Sequence, residues 1–143
     1  MSELAREIFL ILHILGLTLG VGVSFAYLFL GLSRKKMDAE EAQKDAVRSL
    51  SISLMGDIGI LLLIGSGLFL MKPYWAVLAT MPLLVAKLSF VAVLIILLLI
   101  IKINVANIKK GKIGKSAKII QKLGKITLPL GIIIIILAVL TFK

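Results

Sequence analysis

His13 is the only histidine of this 143-residue chain, and it stands inside the first of four long apolar runs. Lys87 stands inside the third. Ionisable side chains are costly in hydrocarbon and are seldom kept there without a use. An imidazole can ligate a metal through one ring nitrogen or pass a proton. A lysine in apolar surroundings can pair with the acid group of a ligand or act as a neutral base. Each residue also has a plainer reading. His13 can be hydrogen-bonded to a neighbouring helix in a packing seam. The four-carbon stem of Lys87 can carry its ammonium out to the headgroups.

Around His13 the spacing is informative. His13, Gly16, Gly20 and Ser24 fall on one face of a helix, and Tyr27 continues the stripe. Gly16 and Gly20 make a G-x-x-x-G step, which lets another backbone or a flat ligand approach closely. Apart from Glu7 at the outer start of the first run, Asp57 is the only acid inside an apolar run. Pairing with a basic residue of the long connections is the simpler expectation for it, and a proton relay is the alternative.

These groups need elements to position them. The chain is 60% apolar, against roughly 45–50% for an ordinary soluble domain. The apolar residues gather into four segments, about 4–32, 50–71, 76–102 and 119–142. Each is long enough to cross ~30 Å of hydrocarbon as a helix. No barrel-like alternation is visible, so the backbone must satisfy itself within helices. The expected fold is all-α: a single domain over residues 1–143, an up-down-up-down bundle of four transmembrane helices. The N-terminal run is too long for a cleaved signal and is stopped by Arg34, Lys35 and Lys36.

The net charge of +10 flanks the apolar runs, which argues for a basic membrane-proximal face and against nucleic-acid binding. Arg34, Lys35, Lys36, Lys44 and Arg48 fall in the first connection. Lys102, Lys109, Lys110, Lys112, Lys115, Lys118, Lys122 and Lys125 fall in the third. The opposite side holds only Arg6, Lys72 and Lys143. This bias predicts a cell-membrane protein with both termini outside and both basic loops cytoplasmic. Asp38 followed by Glu41 predicts a helix start in the first connection, supported by Glu40 and Lys44 at i, i+4. Gly111 and Gly114 should break the third connection, with Ser116 as N-cap of the last span. Pro129 and Gly131 predict a kink in that span. Tyr74 and Trp75 read as interface anchors. The glycines of span two, Gly56, Gly59, Gly65 and Gly67, predict a closely packed central helix. Met55, Met71 and Met81 are more simply packing residues than thioether ligands.

Without cysteine there is no disulfide or thiolate centre, and one histidine with few acids cannot build a zinc site. No H-E-x-x-H motif, catalytic carboxylate pair or phosphate-binding glycine loop is present, which argues against a hydrolase or an ATPase. A haem needs as little as one protein ligand, an apolar slot and cations for its propionates. His13 supplies the ligand, Gly16 and Gly20 open the slot, and Lys87 pairs with a propionate or ligates iron when neutral.

Leu12-His13-Ile14, the segment Gly65 to Leu70, and Ala86-Lys87-Leu88 together resemble the small four-helix membrane proteins of the HemJ protoporphyrinogen oxidase and CopD-like superfamily. The likeness covers the four-span layout. It implies a bound haem b, with His13 as its ligand and Lys87 as an essential partner, and redox chemistry on a tetrapyrrole. Phe25 to Leu30 stands where that group has a tryptophan and a Pro-Arg step, and Val85-Ala86 stands where a histidine precedes its lysine. The expected function is therefore an integral membrane protein with a porphyrin site between the first and third spans, an oxidoreductase if it is an enzyme. One alternative is a transporter or channel subunit, with His13, Lys87 and Asp57 lining a polar path. Another is a non-catalytic scaffold that forms homo-oligomers through its glycine seams.

Overall fold

A computed structural model describes residues 2–111 and 113–142. The described residues are helical almost throughout and contain no strand. Helix α1 spans Glu3–Arg34, α2 Ala39–Arg48, α3 Ile52–Leu70, α4 Pro82–Lys109 and α5 Ile113–Thr141. A single 3₁₀ turn, Ser49–Ser51, joins α2 to α3, so that 39–70 runs on as one length of helix. Four helical lengths are long and apolar enough to cross a membrane.

The helix starts follow from local chemistry. The Ser2 side chain accepts the Ala5 N–H at 3.2 Å, which supplies one of the donors that the first turn of α1 leaves unpaired. Asp38 caps α2 as the sequence predicts, accepting the Glu41 N–H at 2.8 Å, and Lys44 pairs with Glu40 at 2.9 Å. The third span begins later than its apolar run. Residues Lys72–Thr80 wind as a 3₁₀ segment instead of opening the span at 76. Met81 breaks the path at φ −117° and ψ 78°, and Pro82 takes the first position of α4, where its missing N–H costs nothing.

The α4–α5 connection is much shorter than the sequence suggests. Gly111 sits at φ 90°, a conformation open to glycine, and its N–H donates to Ile108 O at 3.0 Å. Gly114 lies within α5 and does not break the chain there. Ser116 is buried in α5 and caps nothing, because the helix starts three residues earlier, just beyond the turn. Pro129 is carried inside a continuous α5, where its ring leaves the Lys125 carbonyl without its usual donor.

The four long elements run up, down, up, down. They pack as two antiparallel pairs, α1 on α3 and α4 on α5, joined by a smaller contact of α1 with α5. Direct contact between α3 and α4 is sparse. Leu50 closes the bundle at the basic end, packing with Val105 and Ile108 of α4 and against Ile120 of α5. Large apolar side chains are otherwise turned outward, among them Leu61 at 72% exposed and Phe29 at 66%. Such an outer surface suits hydrocarbon and not water.

Candidate functional site

His13 belongs to the seam between α1 and α3. The α1 residues of this seam step by four and three in alternation: Phe9, His13, Gly16, Gly20, Val23 and Tyr27. Such spacing keeps one face on an antiparallel neighbour. Phe9 stacks on Phe69, ring centroids 3.8 Å apart. The Lys72 ammonium caps that stack, 3.7 Å from the Phe69 centroid. One turn further in, His13 Nδ1 meets Ser66 Oγ at 2.9 Å, and Gly67 leaves room for the ring edge. A Cβ built on Gly67 would lie 3.4 Å from His13 Cε1.

Next comes the closest approach. A Cβ on Gly16 would lie 2.8 Å from Gly59 O and 2.9 Å from Leu63 N. A Cβ on Gly59 would lie 2.9 Å from both Gly16 O and Gly20 N. Val23 then faces Gly56, and the Tyr27 hydroxyl donates to Ser49 O at 3.1 Å. Of the two uses foreseen for the Gly16–Gly20 face, the structure shows backbone packing. The slot expected to admit a flat ligand there is filled by α3, and the Gly16–Gly59 surfaces are used within the chain rather than left for a second copy. Gly31, Gly65, Gly124 and Gly131 have no such neighbour. The stripe also passes through Val23 and not Ser24, whose hydroxyl returns to its own helix at Gly20 O, 3.1 Å away.

The ring proton of His13 is assigned from its hydrogen bonds. The single hydroxyl proton of Ser66 goes to the Leu62 carbonyl of its own helix. Ser66 Oγ can then only accept from the imidazole, so Nδ1 carries the proton. In that assignment Nε2 carries the lone pair. A second partner that fixes the ring and bares the other nitrogen is the arrangement usual at ligating histidines.

Lys87 is placed differently. It is half-buried and lies in the second turn of α4, about 8 Å along the helix, whereas His13 lies about 15 Å along α1. The late start of α4 accounts for the difference. The Lys87 ammonium lies 5.4 Å from the centroid of Phe142. Tyr74 meets the same Phe142 edge-on at 5.5 Å, while Trp75 is 54% exposed.

Asp57 stands apart from both. It pairs with Lys102 of α4 at 3.3 Å, as the simpler reading expects. It lies nine residues from Ser66 along α3, about 14 Å of rise towards the basic end. Asp57 therefore lies outside the immediate surroundings of His13.

A second polar cluster, not foreseen from the sequence, lies at the basic end. The Arg34 guanidinium donates to Asp45 Oδ2 at 2.8 Å and to Ser49 Oγ, and Ser49 Oγ donates to Ala46 O. With Tyr27 these groups tie the end of α1 to the α2–α3 junction. Asp45 and Arg34 are eleven residues apart, and only the fold of the first connection brings them together.

Among the described residues no three His, Cys, Asp or Glu side chains gather as a metal site. No family model, curated protein or solved structure matches the chain, and the site has to be interpreted from its own geometry.

Proposed function

We propose that this chain is an integral membrane protein whose histidine, His13, would ligate the iron of a b-type haem or related porphyrin. The observation that carries the reading is the 2.9 Å contact of His13 Nδ1 with Ser66 Oγ, which orients the ring about 15 Å into α1 and, with Nδ1 as the donor, leaves Nε2 for a ligand. The donor fits the group. The Gly16–Gly20 face does not, since α3 occupies it. Lys87 would pair with a propionate. A bound haem would supply electron transfer, with the tetrapyrrole redox chemistry of the HemJ and CopD-like proteins as the model. In the proposed orientation the basic end is cytoplasmic and both termini lie outside.

A second reading has its own observation. His13 sits on a seam position directly beside the closed Gly16–Gly59 crossing. That placement supports a structural histidine in a non-catalytic membrane scaffold. An absorbance spectrum of the detergent-purified protein, with and without added haemin, separates the two. Haem ligation predicts a Soret band that shifts in His13→Ala and stays in Ser66→Ala with altered intensity. A spectrum without a Soret band after haemin addition, or one indifferent to His13→Ala, removes the haem reading.

A further inference from the structure

All seven carboxylates of the chain lie at or before Asp57. Beyond it come eleven lysines and no acid. Among the described residues, Lys102 alone of these lysines has an ion-pair partner, and that is Asp57 itself. Among the described residues, the other lysines of the α4–α5 hairpin have no ion-pair partner.

The placement of these lysines is regular. Lys115, Lys118, Lys122 and Lys125 follow at steps of three, four and three, and all are exposed. On a helix this spacing makes one ridge about 15 Å long. The buried residues of the same stretch, Ser116 and Thr127, point elsewhere, towards the packed side of α5. Lys109 and Lys110, both exposed, add to the charge at the adjoining end of α4. After Lys125 the helix is apolar to its end at Thr141. The ridge thus starts where the apolar length stops and rises away from it.

We propose that this ridge binds the phosphates of anionic phospholipid headgroups in the leaflet at the basic end. The inference rests on the reading of the chain as a membrane protein, not on the haem reading. Charge complementarity requires an anionic occupant, and position selects the lipid. Lys125 and Lys122 lie at the edge of the apolar length, where headgroup phosphates are already concentrated. A lysine at an anionic bilayer surface strengthens binding about fivefold, and the effect fades within a Debye length of about 10 Å. Lys125 and Lys122 should therefore contribute most, and Lys115 least. A lysine ammonium holds a phosphate as a point charge, which suits headgroups of varied structure.

The test uses the full chain in mild detergent and native mass spectrometry to count retained lipids, with phosphatidylglycerol and phosphatidylcholine as probes. The wild type should retain phosphatidylglycerol about tenfold over phosphatidylcholine. The variant K115Q/K118Q/K122Q/K125Q should lose that preference to within about twofold, since Gln keeps the helix propensity and removes the charge. K35Q/K36Q, on the first connection, should keep it. An unchanged preference in the quadruple variant overturns the proposal. So does displacement of phosphatidylglycerol by millimolar inorganic phosphate, or by an acidic peptide at equal charge, each of which would identify a different occupant. Flotation of both proteins with liposomes is measured in parallel: failure of both to float refutes the membrane reading itself, whereas loss of lipid preference alone does not.

Discussion

Two glycines of α3, six residues apart, should respond to alanine with opposite signs. A Cβ on Gly59 would lie 2.9 Å from Gly16 O and Gly20 N and 3.0 Å from Leu19 Cβ. Two of these obstacles are backbone atoms of α1, so no side chain can rotate away to make room. Ordinary contact needs α1 to retreat by ~0.5–1 Å, since interiors are already close-packed. That retreat would stretch the His13–Ser66 hydrogen bond, now 2.9 Å, towards the limit of a useful bond. Overpacking of this kind costs ~1–3 kcal/mol, and alanine returns ~0.5–1 kcal/mol of backbone entropy. The net expectation for Gly59→Ala is a loss of up to ~2.5 kcal/mol, centred near ~1 kcal/mol. Gly65 has nothing within 4 Å of a built Cβ, so Gly65→Ala keeps only the gain, up to ~1 kcal/mol. Both are measured by SDS titration of the protein in mixed micelles, followed by helical circular dichroism and by the fluorescence of Trp75, the only tryptophan. If Gly59→Ala proves as stable as Gly65→Ala, the close crossing of α1 and α3 is refuted, and the account of the His13 environment goes with it.

Removing the hydroxyl in Ser66→Ala takes away the acceptor for His13 Nδ1–H and should cost ~0.5–1.5 kcal/mol in the same titration. Nitrogen-15 spectra of the His13 ring should then lose the signature of a single Nδ1-protonated tautomer; an unchanged spectrum would exclude Ser66 as its cause. At the basic end, Arg34→Lys keeps the charge but cannot span Asp45 and Ser49 together, and should lose ~1–2 kcal/mol, Arg34 being only 13% exposed. A value near zero there would mean that the charge matters and the fork does not. Asp57→Asn should cost less than ~1 kcal/mol, because both partners of its ion pair are substantially exposed. A larger loss would show that this pair, and not Leu50, holds α3 to α4.

The sequence revealed those parts of the fold that depend on neighbouring residues. The Asp38 cap and the Glu40–Lys44 pair need only three or four residues of context, and both are present as expected. The four apolar lengths are equally plain, since composition alone separates them. The start of the third span was misplaced because residues 76–81 are as apolar as those that follow. What stops the helix is the backbone at Met81 and the ring of Pro82, which hydropathy does not register. The face bearing His13 and both glycines was legible, but its partner was not. Ser66 and Gly59 are chosen by the register of α3 on α1, and helical periodicity within α1 carries no information about that register. The 4–3 spacing through Val23 was the available signal that this face meets a helix.

The remaining question is what packing asks of residue 13. The crossing of α1 and α3 is set one turn away, where Gly16 and Gly59 bring two backbones together. The neighbouring rung on the other side is a stacked pair of phenylalanines. A leucine between them would fill the seam and bury no polar atom. Ser66 would not miss the imidazole, because its proton already goes to Leu62 O. Histidine, by contrast, brings two ring nitrogens into an apolar helix, and Ser66 meets one of them, Nδ1. The shape of the seam therefore explains why a side chain is held there so firmly, but not why that side chain is a histidine. The unexplained atom is Nε2, and its lone pair is the feature to which a metal-centred ligand would bind.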